Sequence, residues 1–544
     1  MTVRTLPAWS LPLRSWQRDV DLRFAASSSA DFLIVATPGS GKTTAALRCA
    51  HRVMTSASIE RIVVVCPTNH LRGQWAEAAG RTGIQLDPFV MGDGHESRDY
   101  HGMVVTYQQV CGNPGGMRHA CHRQRTLVIL DEIHHAGDGK EWGQALRAAF
   151  GDAERRLSLS GTPFRSDAAT IPFVRYDNGV SIADYAYGYE AALRDHVCRP
   201  VYFSTYGGYV SWRTGDGGIA SASFTDDLPD KQRRERLKAA ILNEGWAEAV
   251  LRPAHAKLMD LRRQHRDAGG LVIASSQDHA RVIAGILRGS IGVHADIAVS
   301  DDPAASRIIR RFAQSDSPWL VAVNMVSEGV DIPRLRVGAF CTNILTEMYF
   351  RQVTGRFVRR QPHLHGPQRA FLYLPADPVL SHYAKRIGEE RDHVLQAQDP
   401  PDPKQPHGLL SGAEQTSLFS PLEAHAQAQE IIAPIEQREA AFMVQPPVQS
   451  AASSHPAPLF AQKNALRTKH KRLVGMLSSR TGRSHREINV DLIRSTGSRI
   501  ETATVAELER RIAILEQQLD TLSKPIGRSW ASRRAAHGER SESS

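Results

Sequence analysis

The sequence is poor in cysteine and contains no long apolar run. Six cysteines are scattered over 544 residues without a CxxC pair, which argues against a disulfide scaffold and is typical of a reduced, cytoplasmic enzyme. No apolar run approaches the roughly 20 residues that a membrane span needs. The amino-terminal segment is broken by Pro7 and Pro12 and lacks the apolar core of a signal peptide. We therefore expect a cytoplasmic protein with no membrane partner.

Acidic residues are fewer than basic ones. The chain has 57 aspartates and glutamates against 67 lysines and arginines, so its formal net charge is +10. Such an excess suits a polyanionic partner, although charge alone indicates only solubility and non-specific attraction. At this length we expect several structural units rather than a single core.

Short apolar runs alternate with helix-forming stretches in two separate parts of the chain. The first part contains FLIVA (32–36), IVVVC (62–66), MVVT (103–106), TLVIL (126–130) and RLSLS (156–160). The second part contains LVIAS (271–275), WLVAV (319–323), VGAFC (337–341) and AFLYL (370–374). Near-continuous apolar strands separated by helices are typical of parallel α/β sheets covered on both faces. The sequence therefore predicts two tandem α/β domains.

The segments between and after these runs differ in composition. The predicted organisation is a first α/β domain (1–204), an insertion with a charged helix (205–255), a second α/β domain (256–395), a disordered linker (396–460), a small all-α module (461–525) and a disordered tail (526–544). The linker is rich in Pro, Gln, Ala and His and cannot bury enough apolar surface to offset its ordering entropy.

The carboxy-terminal module has clear helix signals. Ser484 with Glu487, and Thr504 with Glu507, predict capping boxes at two helix starts. One apolar seam is formed by Val505, Leu508, Ile512, Leu515, Leu519 and Leu522. Basic residues of the module include Lys463, Arg467, Lys469, Lys471, Arg472, Arg483 and Arg486. Three roles stay open: nucleic-acid contact by the basic face, docking of a protein partner on the seam, or a structural bundle.

A phosphate-binding loop is predicted at ATPGSGKTT (36–44), between an apolar strand and a helix-forming run. Its glycines let backbone N–H groups and the helix N-terminus face an anion. Lys42 would supply a charge to the β- and γ-phosphates, and the Thr43 hydroxyl would ligate Mg²⁺. The predicted nucleotide-binding residues of the loop are Pro38, Gly39, Ser40, Gly41, Lys42, Thr43 and Thr44.

A pair of carboxylates is predicted at the end of the strand TLVIL, in LDEIHH (130–135). Asp131, at the carboxyl end of a strand beside the phosphate loop, is placed to hold Mg²⁺. Glu132 is the natural base to orient the attacking water.

Together these motifs resemble superfamily 2 helicases of the DExH type, in particular the group of type III restriction motor subunits and excision-repair helicases. The resemblance spans about residues 11–385, and the motifs follow the family's order. It implies two RecA-like domains, ATP and Mg²⁺ as cofactors, and nucleic acid as partner. It also implies that His134, Ser160 and Thr162 couple the domains, and that Gln17, Gly329 and Asp331 contact the nucleotide. The residues that it places against nucleic acid are Pro67, Thr68, Thr106, Tyr107, Ser275 and Ser327.

The motif YFRQVTGRFVRR (349–360) adds a set of basic residues from the second domain. Arg356 and Arg359 are three positions apart and share one face if helical. The resemblance implies that both reach the γ-phosphate across the cleft, where an arginine finger accelerates well-studied NTPases by roughly 10³–10⁵. Gln352 would contact the γ-phosphate or its attacking water. The predicted catalytic set is Glu132, Lys42, Asp131, Gln352, Arg356 and Arg359.

The predicted function is an ATP-dependent helicase or translocase. DNA is favoured over RNA, and 3′→5′ polarity is expected, from the resemblance alone. Two alternatives stay open, a double-strand translocase without strand separation and an ATP-gated nucleic-acid clamp.

Overall fold

The computed structural model describes residues 6–90, 97–137, 140–161, 171–178, 180–214, 218–299, 304–323, 332–361, 364, 366–398, 428–432 and 458–523. In these ranges the chain forms two parallel-sheet domains in tandem and a helical module. No described helix combines the length and apolarity needed to cross a membrane.

The first domain is a parallel sheet in the order β3-β4-β2-β5-β6-β1-β9, with a separate β7–β8 hairpin. Its strands are β1 (Asp31–Ala36), β2 (Arg61–Cys66), β3 (Leu86–Asp87), β4 (Gly102–Thr106), β5 (Thr126–Leu130), β6 (Arg155–Ser160), β7 (Arg175–Asp177), β8 (Val180–Ile182) and β9 (Tyr185–Tyr187). Its helices are α1 (Ser15–Ala26), α2 (Lys42–Thr55), α3 (Asn69–Gly80), α4 (Tyr107–Gly112), α5 (Pro114–His122), α6 (Lys140–Phe150) and α7 (Tyr189–Arg194).

The central strands are buried on both faces. Every residue of β2, β4 and β5 is buried, because helices cover both sides of the sheet. This explains why these strands have continuous rather than alternating apolar sequences.

The second domain is a sheet in the order β14-β15-β13-β16-β17-β10-β18, parallel except for the edge strand β18. Its strands, with the β11–β12 hairpin, are β10 (Val201–Tyr206), β11 (Tyr209–Arg213), β12 (Ile219–Ser223), β13 (Gly269–Ala274), β14 (Ala295–Ala298), β15 (Trp319–Val323), β16 (Leu335–Cys341), β17 (Ala370–Pro375) and β18 (Ala428–Ile432). Its helices are α8 (Asp230–Leu242), α9 (Glu244–Gln264), α10 (Gln277–Gly289), α11 (Ala305–Gln314), α12 (Glu347–Phe357) and α13 (Pro378–Gln398).

The boundaries differ from the predicted ones at two places. The boundary at residue 204 falls inside β10, which pairs with β17 from Val201↔Ala370 to Tyr206↔Pro375 and so belongs to the second sheet. The predicted linker 396–460 contains β18, which adds an antiparallel edge to β10. Both strands are fixed by pairing with distant residues, which local composition does not encode.

The insertion is a hairpin followed by the charged helix α8. Arg236 of this helix is fully buried, stacks on Phe224 and donates to the carbonyls of Ser223 and Asp226. Arg236 therefore attaches α8 to the β11–β12 hairpin and is not accessible to a ligand.

The carboxy-terminal module consists of α14 (Leu459–Thr481), α15 (His485–Thr496) and α16 (Val505–Ser523). Both predicted capping boxes are present, with Ser484 N–H donating to Glu487 and Thr504 N–H to Glu507. The core of the module contains Leu473, Leu477, Ile488, Leu492, Ile512, Leu515 and Leu519. Leu508, Ile512, Leu515 and Leu519 of the predicted seam are thus buried, which favours the structural-bundle role over the docking role that the sequence also leaves open.

Candidate nucleotide site between the two domains

The loop 37–41 between β1 and α2 is shaped to surround phosphate. Gly39 and Gly41 have φ angles of +81° and +97°, where a side chain is strained. The Ser40 hydroxyl is buried and has no hydrogen-bond partner among the described residues. A helix N-terminus beside an unsatisfied buried hydroxyl fits a phosphate chain.

Lys42, the first residue of α2, contacts the acidic end of β5. Its Nζ atom lies 2.9 Å from Oε1 of Glu132, and the Gly161 N–H donates to Oε2 over 3.1 Å. Burial alone would raise the pKa of Glu132, but the Lys42 ammonium and His134 hold it at about 2. The carboxylate is therefore ionised, as a general base must be. These contacts also fix a backbone with φ +49°, which non-glycine residues rarely adopt.

Asp131 is held by two aromatic side chains. The Trp75 indole N–H donates to Oδ2 over 2.8 Å, and the Tyr107 hydroxyl donates to the Asp131 carbonyl over 2.9 Å. Burial, and then repulsion from Glu132, raise the pKa of Asp131 to about 6. A bound cation would offset both effects, so a carboxylate in this position fits Mg²⁺. Thr43 stands in the first turn of α2, where a hydroxyl ligand is expected.

Replacing Trp75 with phenylalanine should weaken Mg²⁺ binding. Phenylalanine keeps a buried ring but removes the N–H that orients Asp131. Loss of such an outer partner typically costs 10–100-fold in metal affinity, so the Mg²⁺ concentration for half-maximal ATPase activity should rise about 10-fold. Trp142→Phe is the matched control, because this tryptophan stacks on Tyr107, whereas the indole N–H that donates to Asp131 is that of Trp75. An unchanged Mg²⁺ requirement in Trp75→Phe would contradict the assignment.

His134 connects the two domains. Its Nδ1 atom lies 3.2 Å from Ser160 Oγ, and its Nε2 atom lies 3.0 Å from the amide nitrogen of Gln352. Burial lowers the pKa of His134 to about 4, so the ring is neutral at pH 7. Nε2 then accepts from Gln352, and the Nδ1–H donates to Ser160. Thr162, also predicted for coupling, lies outside the described residues.

The helix α12 and the residues after it meet the phosphate loop. A Cβ atom on Gly355 would lie 2.5 Å from the Pro38 side chain, so only glycine allows α12 to approach this closely. A Cβ atom on Gly39 would lie 2.9 Å from Cγ of Arg359, which places the Arg359 stem against the loop. Arg356 is buried in the last turn of α12. A cavity of about 1260 Å³ adjoins this contact.

Arg199 is a positioning residue that the sequence motifs do not reveal. This buried side chain donates to the carbonyls of Phe357 and Leu335 over 2.7 and 2.6 Å, and its backbone N–H donates to Val358 over 2.7 Å. It therefore fixes the end of α12 just before Arg359. The segment lies about 160 residues before α12 in the chain, and no local pattern signals the contact.

Gln17 is bonded to the phosphate loop itself. Its amide nitrogen donates to the Gly41 carbonyl over 3.0 Å, and Arg14 donates to the Ser40 carbonyl. Trp16 stacks on Tyr187 of β9 at 4.9 Å and anchors α1 in this position. Adenine recognition by Gln17 stays a prediction.

The residues predicted to contact nucleic acid divide into three groups. Pro67, Thr68 and Ser275 lie partly exposed at the carboxyl ends of β2 and β13. Tyr107 is fully buried, and Thr106 is buried with its hydroxyl accepting from Gln109 N–H. The expectation that these two side chains touch nucleic acid is therefore corrected. Thr106 caps α4, and the Tyr107 hydroxyl donates to the Asp131 carbonyl. Ser327, Gly329 and Asp331 lie outside the described residues.

His70 of the first domain lies near Arg310 of the second domain. Burial of the ring, and then the Arg310 guanidinium, lower the pKa of His70. His70 lies in the first turn of α3 beside Thr68, and Arg310 is an exposed residue of α11 in the second domain. Neither was predicted, because their proximity arises only from the arrangement of the two domains.

The chain is similar to several known proteins. Residues 10–165 match the family model described as Type III restriction enzyme, res subunit. The DNA 3′-5′ translocase XPB2 of Sulfurisphaera tokodaii is 22% identical over 60% of this chain and 75% of that protein. Among solved structures, the ATP-dependent Type ISP restriction-modification enzyme LlaBIII bound to DNA shows 12% identity and a TM-score of 0.45, covering 94% of this chain and 38% of that one.

The fold and the site define the class of superfamily 2 helicase motors, which are nucleic-acid-dependent ATPases with two RecA-like domains. Uncharacterized protein MT2985 of Mycobacterium tuberculosis (strain CDC 1551 / Oshkosh) is 39% identical over 93% of this chain and 92% of that protein. The chain belongs to the family of this mycobacterial protein.

Proposed function

We propose that the chain is an ATP-driven motor that moves along DNA with 3′→5′ polarity. The observation that carries this proposal is the contact of one domain with the catalytic groups of the other. Arg359 packs on the phosphate loop at Gly39, and Gln352 bonds to His134. Such contacts let the state of the nucleotide control the distance between the domains.

The proposed cycle follows from charge. Lys42 and the loop amides would neutralise phosphate from the first domain, and Arg359 with Arg356 would do so from the second. Because neither set suffices alone, ATP binds the closed arrangement better, and hydrolysis removes that preference. Fixed cations that meet charge developing on the phosphoryl group also lower the barrier to transfer.

The proposed track crosses the interdomain edge. Thr68 and Ser275 stand at strand ends of the two domains, and Arg310 of the second domain lies near His70 of the first. Opening and closing of the cleft would change the spacing of these groups and so advance a phosphate chain. Contacts to phosphate carry no base information, so little sequence specificity is expected.

DNA and polarity rest on relatives. The archaeal relative is named a DNA 3′-5′ translocase, and the matching family model describes a restriction enzyme subunit. Steady-state ATPase with single-stranded DNA, duplex DNA and RNA in parallel tests the track. If RNA stimulated the ATPase and DNA did not, the DNA assignment would be refuted. If no nucleic acid stimulated the ATPase, the chain would be an ATP-gated clamp rather than a motor. Forks with opposite overhangs test polarity, and displacement of a triplex strand without fork opening would show translocation without unwinding.

Arg310→Gln should weaken oligonucleotide binding without base preference. Each phosphate contact contributes about 0.9 to the slope of log affinity against log salt. The variant should therefore lower that slope by about one, measured by fluorescence anisotropy at several salt concentrations. The control is Arg281→Gln, an exposed arginine on α10 paired with Asp278. If the slope of log affinity against log salt were the same in both variants, Arg310 would not contact the nucleic acid.

A further inference from the structure

The three helices of the carboxy-terminal module differ sharply in charge. Together, α14 and α15 contain eight lysines and arginines and two acidic residues. In contrast, α16 contains two arginines and four acidic residues. The excess of cations is therefore confined to one helix pair.

Several of these cations have structural partners. Lys463 is fully buried against Ser97 and Asp99, and Arg467 donates to the Ile500 and Glu501 carbonyls. Ion pairs with acidic residues are made by Lys469, Arg483 and Arg494. Exposed cations with no acidic partner among the described residues are Lys471, Arg472, Arg480 and Arg486. Burial thus removes Lys463 from the nucleic-acid contact that is one open role of the module, whereas the four exposed cations are accessible.

Three of the exposed cations, Arg472, Arg480 and Arg486, follow one another along the chain. Arg486 is the second residue of α15, which begins at His485 after the turn at Gly482. Lys471 and Arg480 are nine residues apart, about 180° around α14, and so lie on opposite sides of this helix. Arg472 and Arg480 are eight residues apart, which separates them by about 12 Å along the helix axis. This separation is close to the roughly 12 Å width of the major groove of B-DNA, so the cations can reach phosphates of one duplex.

A buried polar contact fastens the module to the first domain. The Lys463 ammonium lies 2.6 Å from Ser97 Oγ and 3.2 Å from Asp99 Oδ2. The same Asp99 oxygen accepts from the N–H of Val505 over 2.7 Å, so the beginnings of α14 and α16 share one anchor. Phe460 also packs on Phe89. The module therefore moves with the first domain.

The anchor stands at the end of the sheet nearest the proposed track. Phe89 closely follows the edge strand β3, and the sheet order continues β4, then β2. Neighbouring strands are about 4.8 Å apart, so β2 with Thr68 at its end lies about 10 Å from β3. The phosphate loop follows β1, near the opposite end of the sheet.

We propose that Arg472, Arg480 and Arg486 form a second phosphate-backbone contact, which holds duplex DNA beside the strand in the cleft. The proposal rests on the proposed motor function. It gives the motor a grip that stays with the first domain while the second domain moves. Exposed arginines that form no ion pair with the described acidic residues suit a polyanion, because each bound phosphate releases condensed counterions.

The test is the triple variant Arg472→Gln/Arg480→Gln/Arg486→Gln in the full chain. The control Arg263→Gln/Arg266→Gln/Arg288→Gln removes the same charge from exposed sites of the second domain. Affinity for blunt duplex DNA should fall at least 10-fold at about 0.1 M salt, and the salt slope should fall by about 2.7, for three contacts at 0.9 each. The control should match the wild type. A lysine version of the triple variant should retain the wild-type slope, since phosphate needs only the charge.

Failure of this proposal is distinguishable from failure of the motor function. If the triple variant and the control had the same salt dependence of duplex affinity, the second DNA contact would be refuted. A protein partner on this face would then be the alternative. Stimulation of the ATPase by single-stranded DNA should be unchanged in the triple variant. Equal loss on single strands and duplexes would assign these arginines to the main track instead. If DNA did not stimulate the ATPase of the wild type, the motor function would be refuted. Duplex affinity would still test whether the three arginines bind the phosphate backbone.

Discussion

Glu132→Gln should stop ATP turnover while preserving ATP binding, whereas Lys42→Ala should lose both. Glutamine has the size of glutamate but cannot take a proton from water, and loss of a general base costs roughly 10²–10⁴ in rate. It also removes the negative partner 2.9 Å from Lys42, which leaves the ammonium free for phosphate. Alanine at position 42 removes the positive charge itself.

Two measurements separate these roles. Nucleotide affinity is measured with a fluorescent ATP analogue, and turnover is measured as phosphate release with saturating DNA. Glu77→Gln is a suitable control, because this exposed glutamate pairs with Arg81 on the surface of α3 and with no other described residue. Equal loss of ATP binding in Glu132→Gln and Lys42→Ala would contradict the assigned roles.

Local signals in the sequence account for much of the site. A strand, two glycines and a lysine before a helix predict the phosphate loop, because each residue type is required by the backbone or by the charge there. The end of β5 likewise predicts the carboxylate pair. Both patterns are short and do not depend on how the domains are packed.

Contacts between distant segments are not predictable in this way. In the sequence, Trp75 is simply an apolar residue of α3. Only the fold brings its indole N–H to Asp131, which lies 56 residues further along the chain. Lys463 reads as part of a basic face, yet the docked module buries it. The strand β10 reads as the end of the first domain, but pairing with β17 assigns it to the second.

Among the side chains of the second domain, Arg356 and Arg359 should contribute most to the rate of ATP hydrolysis. Arg359→Ala should reduce kcat by about 10³ with little change in affinity for ATP, because an arginine finger acts mainly on the transition state. The stem already packs on Gly39, so no large domain motion is required to bring the guanidinium near the phosphate loop. Arg356→Ala should reduce kcat similarly.

The geometry also predicts how far lysine can replace Arg359. Lysine restores the charge but not the planar fork of donors, so Arg359→Lys should recover only part of the lost activity. Arg360 is the matched control, since this neighbouring side chain donates to the His196 carbonyl. Its replacement by alanine should change kcat only slightly. A full loss in Arg360→Ala with normal activity in Arg359→Ala would mean that the cleft uses a different arginine. Full activity in both Arg356→Ala and Arg359→Ala would show that hydrolysis does not need the second domain, and the coupling of the nucleotide to movement would then lose its physical basis.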